Sequence, residues 1–294
     1  MENNTCLVSS PSSKLAIHVF FVCAVFIMFS SSMVSSANFL TDIGHTWGGG
    51  DRIQILNNGE GIAVSLDETS CSGFQSRDQY LYAKIDLQIK LVSGNSAGTV
   101  TAFYLSSIGE FHDEVDFEFL GRVEGDPYIL QTNMFIHGVG KREMQFFLWF
   151  DPTDDFHNYT ILWTPQHIVQ LVDGIPIREL KNEKGKRAPF PTMQPMRIYG
   201  SIWNADSWAT RGGAVKIDWT KGPFRAWFKN LRVDGCLRSH ENSKSNCTKS
   251  STSWLSSTLD NKSKQRMKWA HTKYMFYDYC TDTKRFPKGL PLEC

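Results

Sequence analysis

From Asp51 to Val233 the chain changes between apolar and polar residues at every second position, in short runs that turn residues interrupt. The run Tyr80-Leu81-Tyr82-Ala83-Lys84-Ile85-Asp86-Leu87-Gln88-Ile89-Lys90-Leu91 is the longest. The same pattern recurs in Thr99 to Leu105 and in Tyr159 to Trp163. A period of two places one set of side chains on each face of a strand, so every run predicts a half-buried strand. The interruptions are turn formers: Asn57-Asn58-Gly59, Ser93-Gly94-Asn95, Gly125-Asp126-Pro127 and Val172-Asp173-Gly174. Asp173-Gly174 between Gln170-Leu171-Val172 and Ile175-Pro176-Ile177 predicts a hairpin. No stretch here holds a helical period. Many antiparallel strands in a segment of this length predict an all-β fold, a two-sheet sandwich or jelly roll.

Composition bounds the function classes. The chain has 294 residues and a formal net charge of +1, without the basic stripe of a nucleic-acid binder. It carries 20 Phe, 9 Tyr and 9 Trp. Flat aromatic faces stack on sugar rings, so a carbohydrate ligand is one reading; an aromatic-rich β core is the other.

The N-terminus carries the marks of a secretory leader. Lys14 precedes an apolar stretch from Leu15 to Phe29, and Ser35 and Ala37 are small residues at the spacing of a cleavage site. We therefore expect a signal peptide over 1–37 and a mature start at Asn38. The apolar run is shorter than the ~20 residues of a membrane span. The expected product is exported, with no membrane attachment once the leader is removed.

Five cysteines follow the leader: Cys71, Cys236, Cys247, Cys280 and Cys294. Four lie in the C-terminal tail, as expected of two disulfides on a segment with little core of its own. Cys236–Cys247 with Cys280–Cys294 is one of three connectivities, favoured by proximity. Cys71 is left over. Sequons occur at Asn158, Asn246 and Asn261. The histidines lack ligand spacing and no cysteine pair matches a zinc pattern, so neither a metal nor another cofactor is expected.

Composition shifts after Gly235. Residues 238–263 are rich in Ser, Asn and Lys and read as a loop. A short helix is expected over 264–279, from Met267, Trp269, Ala270, Met275 and Phe276, and an extended tail over 284–291. The expected organisation is a catalytic β domain over 38–235 and a disulfide-stapled extension over 236–294.

The chemistry concentrates in Glu114-Val115-Asp116-Phe117-Glu118-Phe119. On a strand the three carboxylates share one face, and Val115, Phe117 and Phe119 fill the other. Acidic residues are poor strand formers and like charges repel, so such a face is either a site or fully solvated. Paired carboxylates suit glycoside hydrolysis, one as nucleophile and one as acid and then base. Crowding spreads their pKa values and holds at least one protonated near neutral pH. Glu114 and Glu118 stand ~13 Å apart along a flat strand. A retaining pair needs its carboxyl groups about 5 Å apart, which requires the strand to curve.

The run His112-Asp113-Glu114-Val115-Asp116-Phe117-Glu118-Phe119-Leu120-Gly121 resembles the signature of xyloglucan endotransglucosylase/hydrolases, in glycoside hydrolase family 16. The resemblance extends to Gly44-His45-Thr46-Trp47-Gly48, Ser72 to Ser76, Gly98 to Ser107, Trp203 to Gly213 and Tyr279 to Pro287, and so covers nearly all of residues 39–294. It implies a curved, concanavalin-like jelly roll with an open glycan cleft. Glu114 would be the nucleophile, Glu118 the general acid/base and Asp116 the residue that tunes the nucleophile between them. Gln131, Thr132, Asn133, Lys141, Arg142, Glu143, Ser207, Trp208, Gly212, Arg285, Tyr104 and Trp203 would contact the glycan. The chain departs from the family at Arg122-Val123-Glu124, where a sequon is usual. It departs also at Ser207, where Asp is common, and at Cys71, where Gly is usual.

The implied reaction cleaves the β-1,4-glucan backbone of xyloglucan with retention and transfers the glycosyl-enzyme to a second xyloglucan chain in the cell wall and apoplast. Donor and acceptor polysaccharides would be the partners of a monomer. The segment 206–219 resembles that of the family's transferases, which favours transfer over a mainly hydrolytic endoglucanase. A non-catalytic glycan-binding wall protein is a third reading, and the intact carboxylate triplet weighs against it.

Overall fold

A computed structural model describes residues 37–183, 188–238, 245–247 and 253–294. The leader, apart from Ala37, lies outside the described residues, as do 239–244 and 248–252 of the expected loop over 238–263; the described part of that loop holds a short strand, Ser245–Cys247, a helical turn, Ser253–Ser256, and the first residues of a helix that begins at Asn261. Residues Ser36–Cys294 form one compact unit.

Two antiparallel sheets make a sandwich. The first runs in spatial order β1 (Ile43–Trp47), β4 (Ser72–Ser76), β13 (Arg197–Asn204), β6 (Thr99–Ser106), β7 (Glu114–Leu120), β8 (Ile129–Phe135), β9 (Met144–Phe147) and β16 (Met275–Asp278). The second runs β12 (Ile175–Lys181), β11 (His167–Val172), β10 (His157–Trp163), β5 (Tyr80–Lys90), β14 (Phe224–Arg238), β3 (Gly61–Leu66) and β2 (Ile53–Leu56), with β15 (Ser245–Cys247) paired to β14. The expected all-β sandwich is the fold observed.

Alternation explains the sandwich directly. On β5 the residues Ala83, Ile85, Leu87 and Ile89 are fully buried, while Lys84, Asp86, Gln88 and Lys90 between them are half-buried on the outer face. The anticipated hairpin joins β11 to β12 with Asp173 at φ 47° and Gly174 at φ 68°, the paired left-handed conformations that this dipeptide accepts.

The core between the sheets holds β7, the strand with the three carboxylates, from below. Val115, Phe117 and Phe119 of β7 have no exposed surface. Phe117 stacks on Phe103 at 6.0 Å, and Tyr159 from the opposite sheet meets Phe117 at 5.7 Å and Phe119 at 4.7 Å, edge to face. Each buried ring of this kind contributes about 1.5–3 kcal/mol from area alone.

The tail departs from expectation in two places. The helix spans Asn261–Tyr274, begins on Asp260, whose side chain accepts from Ser263 N at 2.7 Å, and stops before Met275. Met275 and Phe276, expected in that helix, belong to β16, because the free edge of β9 offers them a ladder. Residues 283–288 form turns where an extended tail was expected. The tail does not stand apart from the β domain. β14 continues through residue 235 to Arg238, and β16 completes the first sheet. The helix packs on β12, with His271 Nε2 2.7 Å from Ile177 O. Cys280 and Cys294 form a disulfide. Cys236 is also disulfide-bonded and stands opposite Cys247 in the β14–β15 register. Cys71 is a free thiol.

Candidate active site

Strand β7 lies inside the first sheet, flanked by β6 and β8, and its period of two separates core from cleft. Glu114, Asp116 and Glu118 line one cavity of about 540 Å³, a size that suits several sugar units of an open cleft. Register sets their neighbours. Glu114 stands opposite Ser106 and Phe135, Asp116 opposite Tyr104 and Asn133, and Glu118 opposite Ala102 and Gln131.

The three carboxylates have distinct surroundings. Burial holds Glu114 above the usual carboxylate range, and a hydrogen bond from Ser106, the nearby His112 and a hydrogen bond from Asp116 offset only part of that rise. His112 Nε2 lies 3.9 Å from Glu114 Oε2, and its ring stacks on Phe135. Asp116 is 5% exposed. Burial, reinforced by Glu114 and Glu118, holds it well above the usual carboxylate range, so it keeps its proton and donates it to Glu114. Burial pushes Glu118 up to about 7, with Glu114 and Glu143 adding to the rise and Gln131 opposing it.

Three residues that the sequence did not point to support these groups: Gln145, Gln170 and Arg178. Gln145 Nε2 donates to Gln131 Oε1 at 2.6 Å, which turns the Gln131 amide so that its Nε2 donates to Glu118 Oε2 at 2.7 Å. Gln170, fully buried on β11, donates from the opposite sheet to Asp116 O at 2.8 Å. Arg178 of β12 is also buried between the sheets. It donates to Thr132 Oγ1 at 3.0 Å, and its charge opposes the rise of Asp116. None of these contacts leaves a local signal, because each joins residues on different strands whose register the sequence does not state.

The expected glycan contacts divide into three groups. Tyr104, Gln131, Asn133, Glu143, Trp203 and Trp208 line the cavity with the carboxylates. Tyr104 stacks on Tyr199 at 4.8 Å, and Trp203 meets Trp208 at 5.9 Å. Trp47, to which no role was assigned from sequence, joins them. It lies over Gly73, where a Cβ would overlap the indole. Lys141, Ser207 and Gly212 are exposed loop residues, and Arg285 is held in a two-pronged ion pair with Glu143, at 2.6 and 3.1 Å. Thr132 and Arg142 are turned away from the cleft. Thr132 occupies the core face between Gln131 and Asn133, as alternation requires, and Arg142 is buried against Glu293 and Val139 O.

Of the sequons, Asn158 lies within β10 with its Nδ2 on Thr160 Oγ1 at 3.0 Å, and Asn261 is the exposed first residue of the helix. The side chain of Asn246 is outside the described residues. Among the described residues no cluster of His, Cys, Asp and Glu could hold a metal ion, and no helix is long and apolar enough to cross a membrane.

Comparison with known proteins gives two matches to family models. Residues 41–221 match glycosyl hydrolases family 16, and residues 249–294 match the xyloglucan endo-transglycosylase (XET) C-terminus. A probable xyloglucan endotransglucosylase/hydrolase protein 23 of Arabidopsis thaliana is 56% identical over 264 residues, covering 88% of this chain and 91% of the relative. Xyloglucan endotransglucosylase protein 8 of Diospyros kaki is 50% identical over 289 residues, covering 98% of each. Among solved structures, a Bacillus licheniformis β-glucanase superposes with a TM-score of 0.53 at 24% identity, over 68% of this chain and 94% of that one. The apo Crh5 transglycosylase superposes with a TM-score of 0.53 at 23% identity, over 71% and 88%. These two share the fold.

Proposed function

The chain belongs to the xyloglucan endotransglucosylase/hydrolases of glycosyl hydrolases family 16, and from that premise we propose that it cuts xyloglucan and rejoins the cut end to another xyloglucan chain. One observation carries the assignment of roles: three carboxylates at alternate positions of β7 line one cavity, each with different hydrogen-bond partners and a different degree of burial.

Glu114 attacks the anomeric carbon as the nucleophile. Burial raises its pKa, and hydrogen bonds from Ser106 and the protonated Asp116 offset part of that rise and favour the ionised form that attacks. Glu118 retains its proton up to about pH 7 and gives it to the departing glycosidic oxygen. A glycosyl-enzyme remains on Glu114. Glu118, now ionised, takes the proton of an acceptor hydroxyl, and that oxygen displaces Glu114 from the anomeric carbon. A water in place of the acceptor gives hydrolysis. Transfer prevails when the cleft holds an acceptor chain at high effective concentration, and the aromatic and polar walls around Trp203, Trp208 and Asn133 support that outcome.

The carboxylates and the cleft come from one chain, which supports a monomer. We place the enzyme outside the cell, in the wall and apoplast, where its substrate class resides; the leader sequence supports export. The catalytic domain of 38–235 and the extension of 236–294 act together in this reading, since Glu143 and Arg285 join them at the cleft.

The test incubates the protein with high-mass xyloglucan and fluorescent xyloglucan oligosaccharides, and follows size-exclusion profiles and reducing ends. Label entering polymer at constant reducing ends is the expected result. A fall in mass with an equal rise in reducing ends would assign hydrolysis. No change relative to a Glu114→Ala control would remove xyloglucan as the substrate.

A further inference from the structure

The loop that leads from β6 into β7 closes on itself. Ser107 N donates to Asp113 O at 2.9 Å, and Asp113 N donates back to Ser107 Oγ at 2.8 Å. Ser107 Oγ in turn donates to Gln194 Oε1 at 3.1 Å, and Gln194 Nε2 donates to Phe111 O at 2.7 Å. The turn after β8 ties the loop from the other side. Gly138 N donates to His112 O at 2.7 Å, and His137 N donates to Asp113 Oδ1 at 2.8 Å. A loop bound at so many points holds its side chains in place, and His112 is the one that it brings to the nucleophile.

Two contacts fix the His112 ring. It stacks on Phe135 with centroids 5.2 Å apart at 27°. Its Nδ1 lies 3.1 Å from Gly109 O. A carbonyl oxygen only accepts, so Nδ1 carries a proton in either charge state of the ring. Nε2 is left to face Glu114 Oε2 at 3.9 Å, within ion-pair reach. In a neutral ring of this tautomer Nε2 is a lone pair, turned towards a carboxylate oxygen of like polarity. In the protonated ring the same atom presents positive charge to that oxygen. The geometry therefore suits imidazolium beside carboxylate. An imidazole of ordinary basicity is cationic below roughly pH 6.5, so the cation is present on the acid side, where an ionised nucleophile is hardest to keep.

The other neighbours supply no such charge. Glu114 meets Ser106 and Tyr104 from β6, Tyr199 from β13, Phe135 from β8 and Asp116 on its own strand. Burial pushes both phenols up and Asp116 keeps its proton, so these groups are neutral. Glu110 and Asp113 flank His112 in its loop, and His137 lies in the turn bound to it. Among the described residues, only Glu114 forms an ion pair with His112.

We infer that His112 is the charge partner of the nucleophile: protonated, with Nε2 turned to Glu114 Oε2, it holds Glu114 ionised before attack and stabilises the same carboxylate as it leaves the sugar. This rests on the reading of Glu114 as nucleophile. In the glycosyl-enzyme Glu114 is an ester without charge. Negative charge returns to its oxygens as the acceptor displaces it, and a cation fixed in advance meets that charge without rearrangement. His112 is thus a positioning residue that acts through Glu114.

Two measurements test this. The first follows the His112 ring by NMR as pH is varied, without substrate, in the parent protein and in Glu114→Gln, with the ring assigned through its backbone resonances. The two side chains are 27% and 20% exposed, so water screens part of their attraction. Loss of the carboxylate charge should lower the ring's titration midpoint by about one pH unit, the lower end of what an opposite charge does at this range. An unchanged midpoint would overturn the inference and leave the nucleophile assignment standing, since Glu114→Gln would still be inactive. The second measurement is the pH profile of kcat/KM for transfer in His112→Gln, whose amide keeps a donor and never a charge. The acid limb, set by Glu114, should move up by about one unit while the basic limb, set by Glu118, stays. A uniform loss of activity with both limbs fixed would make His112 a structural residue and overturn the inference. Should His112→Gln not fold, the NMR titration decides alone. A Glu114→Gln protein that keeps its transfer activity would overturn the nucleophile assignment and the inference with it.

Discussion

Replacing Glu118 by Gln should stabilise the protein, and the gain should grow with pH. In the folded chain Glu118 is raised from 4.5 to about 7, chiefly by burial. The unfolded chain has no such burial and releases the proton earlier. A group whose folded pKa is raised gives its full stability below the unfolded pKa and loses it as pH rises through the folded one. Each unit is worth about 1.36 kcal/mol, so the loss in the parent is roughly 1 kcal/mol at pH 5 and about 3 kcal/mol at pH 7. Gln cannot ionise and still accepts the hydrogen bond from Gln131, so the variant avoids this loss. Glu114 and Asp116 are present in both proteins, so the difference reports Glu118 together with its repulsion of these two neighbours, which acts in the same direction. At about 2–4 °C per kcal/mol for a domain of this size, the midpoint of Glu118→Gln should exceed that of the parent by roughly 2–4 °C at pH 5 and about 6–12 °C at pH 7. Urea or thermal unfolding at the two values measures the gap, and activity should be lost in the same variant. A gap of equal size at pH 5 and pH 7 would refute the reasoning, because Glu118 would then be ionised in the folded protein across that range and could not serve as the acid.

The transfer rate should rise as Glu114 ionises and fall as Glu118 loses its proton near pH 7. Gln145→Leu frees the Gln131 amide that lowers Glu118, so the basic limb should move upward; a fixed limb would show that the two amides do not act in series. Asp116→Asn keeps a donor for Glu114 and should retain far more activity than Asp116→Ala, which should lower kcat about 10–100-fold, the worth of a hydrogen bond to a charged group; equal losses would point to an ionised Asp116. Reducing Cys280–Cys294, or replacing both by Ser, removes a staple with a sequence separation of 14, at a cost of about 3 kcal/mol. Hydrogen exchange should show β16 losing protection before β7. Phe117→Ala opens a cavity beneath the carboxylates and should cost about 3–5 kcal/mol in urea unfolding.

Much of the site was legible in the chain because a strand's period of two is a local rule. It placed Glu114, Asp116 and Glu118 on one face and Val115, Phe117 and Phe119 on the other before any partner strand was known. The same rule, applied to Gln131-Thr132-Asn133, turns Thr132 into the core, where the structure has it. Arg142 shows the limit of the rule. Its neighbour Glu143 lines the cleft, but Arg142 is captured by Glu293, a partner 151 residues away. Met275 and Phe276 continue a plausible helix in sequence, yet the open edge of β9 makes a strand the better use of their backbone groups.

The sequence by itself determined the all-β class, the two-faced strand β7 and the placing of its three carboxylates on one face, since each follows from spacing along one segment. Only the tertiary structure decided which carboxylate keeps its proton. It also decided that Gln145, Gln131 and Glu118 are hydrogen-bonded in series. Burial, field and register are properties of strands brought side by side, and no single strand contains them.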